Sequence, residues 1–159
     1  QGYSSAASDV YKRQGTGFTS PDSASTFTIP SAAAKAVTVG AYDAGTGSAA
    51  SFSGRGYIVE IGGSLMVKPE LAAPGVNVLV PSVSGMARVS GTSYATPFVT
   101  GSAALLMEWG IVRGNDAFLY GEKLKAYLIK GAEPLAGAAV PDTQTGWGRL
   151  CLKNSLPQA

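Results

Sequence analysis

A chain of 159 residues with a net charge of +2, 45% hydrophobic and 14% charged, is long enough for one domain with a core and too short for two. That balance excludes a disordered chain, and without a Lys/Arg cluster it excludes a nucleic-acid-binding one. Cys151 is the single cysteine, which rules out a disulfide scaffold and leaves the compartment open.

The first stretch differs in composition from the rest of the chain. Ser4–Gln14, "SSAASDVYKRQ", has neither a helical nor a strand period. Back-translated with suitable codons, it reads as a transposase-type adapter used to build sequencing libraries. Residues 1–14 are therefore expected to be a non-native segment, excluded from fold reasoning as a processing segment would be. Residues 15–159 are expected to form part of one catalytic domain, a C-terminal piece of something longer. No charged-then-apolar leader opens the chain.

Residues 15–35 are rich in Gly, Ser, Thr and Pro and read as loop. "AVTVGAY" (36–42) alternates, with Val37 and Val39 on one face, and predicts a strand ending in the turn-forming "DAGTG". "YIVEIG" (57–62) predicts a second short strand. "VNVLVPSV" (76–83), after "APG", is apolar enough for a buried strand, and "ARVSGTS" returns as strand or loop. A helix is predicted from about Tyr94 to Trp109. Its apolar run from Pro97 is shorter than a bilayer needs and is broken by Thr100, Ser102 and Glu108, so it reads as a core helix. "NDAFLYGEKLKAYLIKGA" predicts another helix, capped by Asn115 or Asp116, with Phe118, Leu124, Leu128 and Ile129 on its apolar face and Gly131 closing it. "TGWGRLCLKNSL" holds a glycine-bounded turn and a short apolar segment. Strands followed by helices point to an α/β arrangement.

"GTSYATP" (91–97) carries the chemistry. Gly91 permits a tight backbone approach, and an apolar helix follows Ser93. A serine there lies among N–H groups without intrahelical partners, which stabilise developing negative charge, and its own N–H can act as an oxyanion donor. Pro97 fits a first helical turn, where no hydrogen bond is lost. On spacing alone an ordinary Ser N-cap explains the serine as well. The G-x-S-x-G elbow is absent, since Ala95 stands at its second glycine.

The wider context resembles the subtilisin-like serine peptidases, the subtilases. "SGTSYATPFVTGSAALL" is similar to their active-site serine segment, G-T-S-x-A-x-P before a small-residue helix, matched by Gly91, Thr92, Ser93, Ala95, Pro97 and Gly101. "KPELAAPGVNVL" resembles the family's A-P-G segment, with Glu70 where aspartate is commoner. "SFSGRG", "IPSAAAKAVTVGA" and "GWGRL" resemble further family segments, in the family's order.

The resemblance implies the C-terminal portion of a three-layer α/β fold with a mostly parallel sheet flanked by helices. It implies a serine-type endopeptidase acting on polypeptides through a Ser-His-Asp triad, with Ser93 as nucleophile and no cofactor in the chemistry. The chain contains no histidine, and the family order Asp, His, Ser places the other two before residue 15. The oxyanion asparagine of a G-N-x-G loop would align with Arg13, within the adapter-like stretch. This chain alone is thus expected to be inactive; the alternative is a pseudoprotease of the same fold acting as a binding or regulatory module. Secretion or cell-surface placement is implied by the family. Lys68 and Glu70, flanking Pro69, read as a solvated turn. Tyr94 reads as packing and Trp147 as a core anchor. Asp22, Asp43 and Asp142 are candidates for structural calcium, but they lack the clustered spacing of a calcium loop. Nucleic acid and a membrane span are not expected among the partners; the oligomeric state is left open.

Overall fold

The computed structural model describes residues 23–157. The expected boundary at residue 14 and Asp22 lie outside them. Two parallel strands organise the core: β1 (Val39–Asp43) and β5 (Leu71–Pro74) pair from Val39↔Leu71 to Tyr42↔Pro74. A short β2 (Ser48–Ala49) folds back antiparallel on the end of β1. On the other flank of β5, Ala72 N–H donates to Gly148 O and Leu150 N–H to Ala72 O, each at 2.8 Å. The C-terminal stretch thus completes the sheet around β5.

Two antiparallel hairpins interrupt this layer, one of β3 (Ile58–Ile61) with β4 (Ser64–Val67), the other of β6 (Val78–Ser82) with β7 (Gly85–Val89). Helix α1 (Thr92–Met107) packs on β1 and β5 through Ala95, Val99, Ser102 and Leu106. Facing it are Ala41, Leu71 and Ala73, so small side chains let the helix sit close on the sheet. Helix α2 (Gly121–Gly131) contributes Leu128 to the same core, and a four-residue turn of helix, α3 (Leu152–Ser155), packs against α2. The arrangement is mixed α/β, as the resemblance implies.

Several local expectations are corrected. β1 begins at Val39 rather than 36, because Ala36 O and the Thr38 N–H bond to the side chains of Lys68 and Glu70 instead of to a neighbouring strand. Residues 76–83 are not a buried strand: β6 pairs only with β7, so Leu79 and Val83 stand in solvent. Helix α1 starts at Thr92 and runs on into a single π turn, Glu108–Val112. Together they are long and apolar enough to cross a membrane by length and composition alone, but the buried face is seated on the sheet. The opposite face exposes Tyr94, Phe98, Leu105 and Met107, so Tyr94 is not a packing residue among the described ones. Helix α2 begins after Tyr120, leaving Phe118 outside it and 71% exposed. Neither proposed cap is used: Asn115 donates to Trp109 O, and Asp116 accepts the Phe118 N–H and pairs with Lys123. Gly131 closes α2 because any Cβ would strike Ser155. Trp147 is only half-buried; Gly146 and Gly148 beside it are the buried residues of that turn.

Candidate active site around Ser93

The glycine of "APG" sets the position of Ser93. Gly75 N–H donates to Tyr42 O at 3.0 Å, at the end of β1, and Gly91 N–H donates to Gly75 O at 2.8 Å. The strand end is thereby tied to the residue that opens α1. A Cβ on Gly75 would lie 2.6 Å from the Ala41 Cβ and 3.1 Å from Gly91 O, so no larger residue fits without moving one of them. Gly91 is the helix N-cap, with φ 155 and ψ 157, a region that only glycine occupies without strain. The "FSxxG" stretch supports the same strand: the buried Ser53 Oγ accepts the Ala41 N–H at 2.9 Å.

Ser93 is the second residue of α1, not its cap, and no side-chain hydrogen bond caps this helix. The ordinary N-cap explanation is thereby removed. Ser93 is exposed, its hydroxyl makes no hydrogen bond among the described residues, and its N–H lies in the first turn, where helices leave donors unpaired. Pro97 falls in the helix interior, not in the first turn as expected. Without an N–H at 97, the Ser93 carbonyl loses its usual i+4 donor.

Ser93, Thr92 and Thr96 form one side of a cleft of about 380 Å³. Thr26–Thr28 and the segment Ala36–Val39 form the other sides. No Asp, Glu, Lys or Arg lines it among the described residues. The cleft thus joins the Ser93 hydroxyl and a helix N-terminus to several threonine and serine hydroxyls, with no ionisable side chain among the described residues to take the Ser93 proton.

The expectation for Lys68 and Glu70 fails outright. Lys68 is 0% and Glu70 2% exposed. Glu70 Oε1 pairs with Lys68 Nζ at 2.7 Å and with Lys125 Nζ of α2 at 2.5 Å, while Oε2 accepts the Thr38 N–H at 2.7 Å. Each ammonium also donates to backbone: Lys68 to Ala36 O and Lys125 to Ala34 O, both at 2.7 Å. A solvated turn was inferred from residue type alone. The available signal was Lys125, which shares the apolar stripe of α2 with Leu124 and Leu128 and so had to find a buried partner. Among the described residues no group of three or more His, Cys, Asp or Glu converges as a metal site. Asp142 is engaged with Gln144 and Thr145, and Asp43 accepts the Gly45 N–H.

A glycine-pinned loop thus joins the end of a parallel strand pair to a helix with an exposed serine in its first turn. The Subtilase family model matches residues 9–148, and the chain belongs to that family. It resembles the solved CspB protease of Clostridium perfringens, with 45% identity and a TM-score of 0.71 over 80% of this chain and 27% of that one. The prenylagaramide maturation protease PagA is similar at 29% identity and a TM-score of 0.63, over 80% of this chain and 43% of that one. Subtilisin-like protease 1 of Pseudogymnoascus destructans is 41% identical over 92 residues, 56% of this chain and 20% of its own length. The PII-type proteinase of Lactococcus lactis subsp. cremoris is 38% identical over 67 residues, 42% of this chain and 4% of that protein. The chain thus spans less than half the length of these relatives.

Proposed function

We propose that this chain carries the nucleophile of a serine-type endopeptidase, with Ser93 Oγ as the attacking atom. The free, exposed hydroxyl in the first turn of α1, facing the cleft, is the observation that carries this reading. A histidine takes the Ser93 proton as Oγ attacks a peptide carbonyl, an aspartate holds the imidazole, and the Ser93 N–H receives the developing oxyanion. The leaving amine takes the proton, and water then cleaves the acyl-enzyme. These steps need no cofactor. With no histidine in the 159 residues, this reading takes the base from polypeptide outside them. Substrates are polypeptides, and the parent acts outside the cell, secreted or at its surface, as family membership implies.

The test begins with the genomic sequence upstream of the Gly15 codon. A G-N-x-G loop preceded by histidine and aspartate motifs, followed by fluorophosphonate labelling of Ser93 in the parent protein, is the expected result. Altered motifs and an unlabelled Ser93 would make the protein a pseudoprotease with a binding role. Residues 1–159 expressed alone should be inactive and poorly soluble, because loss of the histidine in subtilisin lowers kcat by about 10⁶. A monomeric chain that cleaves casein would refute this.

A further inference from the structure

One wall of the cleft that Ser93 lines is not held by the sheet alone. The β1–β5 ladder begins at Val39↔Leu71, yet Ala36, Val37 and Thr38 line the cleft ahead of it. Glu70 grips Thr38 from both sides of its peptide: its N–H donates to Thr38 O at 3.0 Å, and its carboxylate accepts the Thr38 N–H. The ammoniums of Lys68 and Lys125, both paired with that carboxylate, fix the carbonyls of Ala36 and Ala34. Two cations on one buried carboxylate are a poor device for stability, since well-packed apolar residues usually do as well or better. They are a good device for geometry: Lys68 fixes the Ala36 carbonyl of the wall, and Lys125 fixes the Ala34 carbonyl just ahead of it and reaches Ala36 O at 3.4 Å.

Lys125 is the member whose removal separates these roles. It reaches the wall from α2, about ninety residues away along the chain, and its side chain is 14% exposed, against 0% for Lys68 and 3% for Glu70. We propose that Lys125 is a positioning and specificity-determining residue: through Glu70 and the carbonyls of Ala34 and Ala36, it sets the wall that sorts the substrate side chain entering beside Ser93. This rests on the peptidase reading for its substrate, but the hold on the wall stands independently of it.

The experiment uses the parent protein with its upstream sequence, comparing wild type, Lys125→Met and Lys125→Arg. Active sites are counted with a fluorophosphonate. Peptides with alanine or phenylalanine before the scissile bond give kcat and KM per active site, and hydrogen exchange reads residues 34–39. Lys125→Met should speed exchange there and change the alanine-to-phenylalanine ratio of kcat/KM by about 10-fold. That is the low end of the roughly 10–200-fold discrimination that a small change of fit in an apolar pocket produces. The change should appear in KM with kcat nearly constant, and Lys125→Arg should restore the ratio. Unchanged exchange, or faster exchange with an unchanged ratio, overturns the proposal; the second result would make Lys125 structural only. If the wild type is neither labelled nor active, the peptidase reading falls. Exchange at 34–39 then still decides whether Lys125 holds the wall.

Discussion

Replacing Gly75 by alanine tests whether the "APG" turn places the nucleophile. The new Cβ would sit 2.6 Å from the Ala41 Cβ, whereas carbon atoms rest at about 3.5–4.0 Å. Something must therefore move by about 1 Å. Ala41 is fully buried in the sheet, so the yielding partner is the Gly91 end, 3.1 Å away, with Ser93 two residues beyond it. Overpacking of this kind costs about 1–3 kcal/mol, and a 1 Å misplacement of a reacting group can lower the rate by about 10²-fold. In the parent protein, Gly75→Ala should slow fluorophosphonate labelling of Ser93 by one to two orders of magnitude (about 10–10²-fold) while the folded state persists, as judged by a cooperative melt. Gly101→Ala is the matched control. A Cβ there meets nothing within 4 Å, and alanine exceeds glycine in a helix by about 0.8–1.0 kcal/mol, so labelling should hold and the melting temperature should rise. Equal labelling of Gly75→Ala and wild type would refute the claim that Gly75 sets the serine's position.

Other perturbations separate chemistry from architecture. Ser93→Ala should abolish labelling yet leave stability within about 0.5 kcal/mol by denaturant melts, as for other surface substitutions, since its hydroxyl bonds to no described residue. Glu70→Gln leaves two lysines without their carboxylate. The cost, about 3–5 kcal/mol for breaking a buried pair against a total of about 5–15 kcal/mol, should lower the denaturant midpoint sharply or leave the protein insoluble. The pH dependence of Glu133 is also fixed in sign. Hydrogen bonds from Arg149, at 2.8 and 3.1 Å, hold its carboxyl below the ordinary glutamate value. Its contribution is therefore present above about pH 4.3 and lost as pH falls through the lower folded value. Wild type should melt above Arg149→Gln at neutral pH, and the two should converge in acid.

What could be read from the sequence divides along physical lines. Short-range signals survived: the short strand predicted at 57–62 is β3, and Gly91 of "GTS" marked a close backbone approach that the structure contains. The helix start beside Ser93 was legible because it needs only a few adjacent residues to announce it, whereas the reading of Ser93 as a nucleophile came from the family resemblance. Long-range pairing was not legible. Whether residues 76–83 are buried depends on which strand they pair with, and β6 found only its own hairpin neighbour. The Lys68–Glu70–Lys125 cluster was hidden for the same reason. Its members lie on separate elements, and charge beside a proline reads as solvent-facing until the partner's position is known. Pro97 misled by a few residues, because the helix began at Thr92 rather than Tyr94.

The flank that Gly148 and Leu150 provide to β5 has a consequence for timing. The helix carrying Ser93 is tied to Gly75 at the end of β5, and β5 gains its second neighbour only when residue 150 is available. During synthesis, at about 5–20 residues per second, the 57 residues from Tyr94 to Leu150 take about 3–11 s. For those seconds the serine has left the ribosome's active centre while the strand anchoring its loop still has a bare edge. The hydroxyl therefore exists well before the platform that aims it. A truncation anywhere before Leu150 would make that interval permanent.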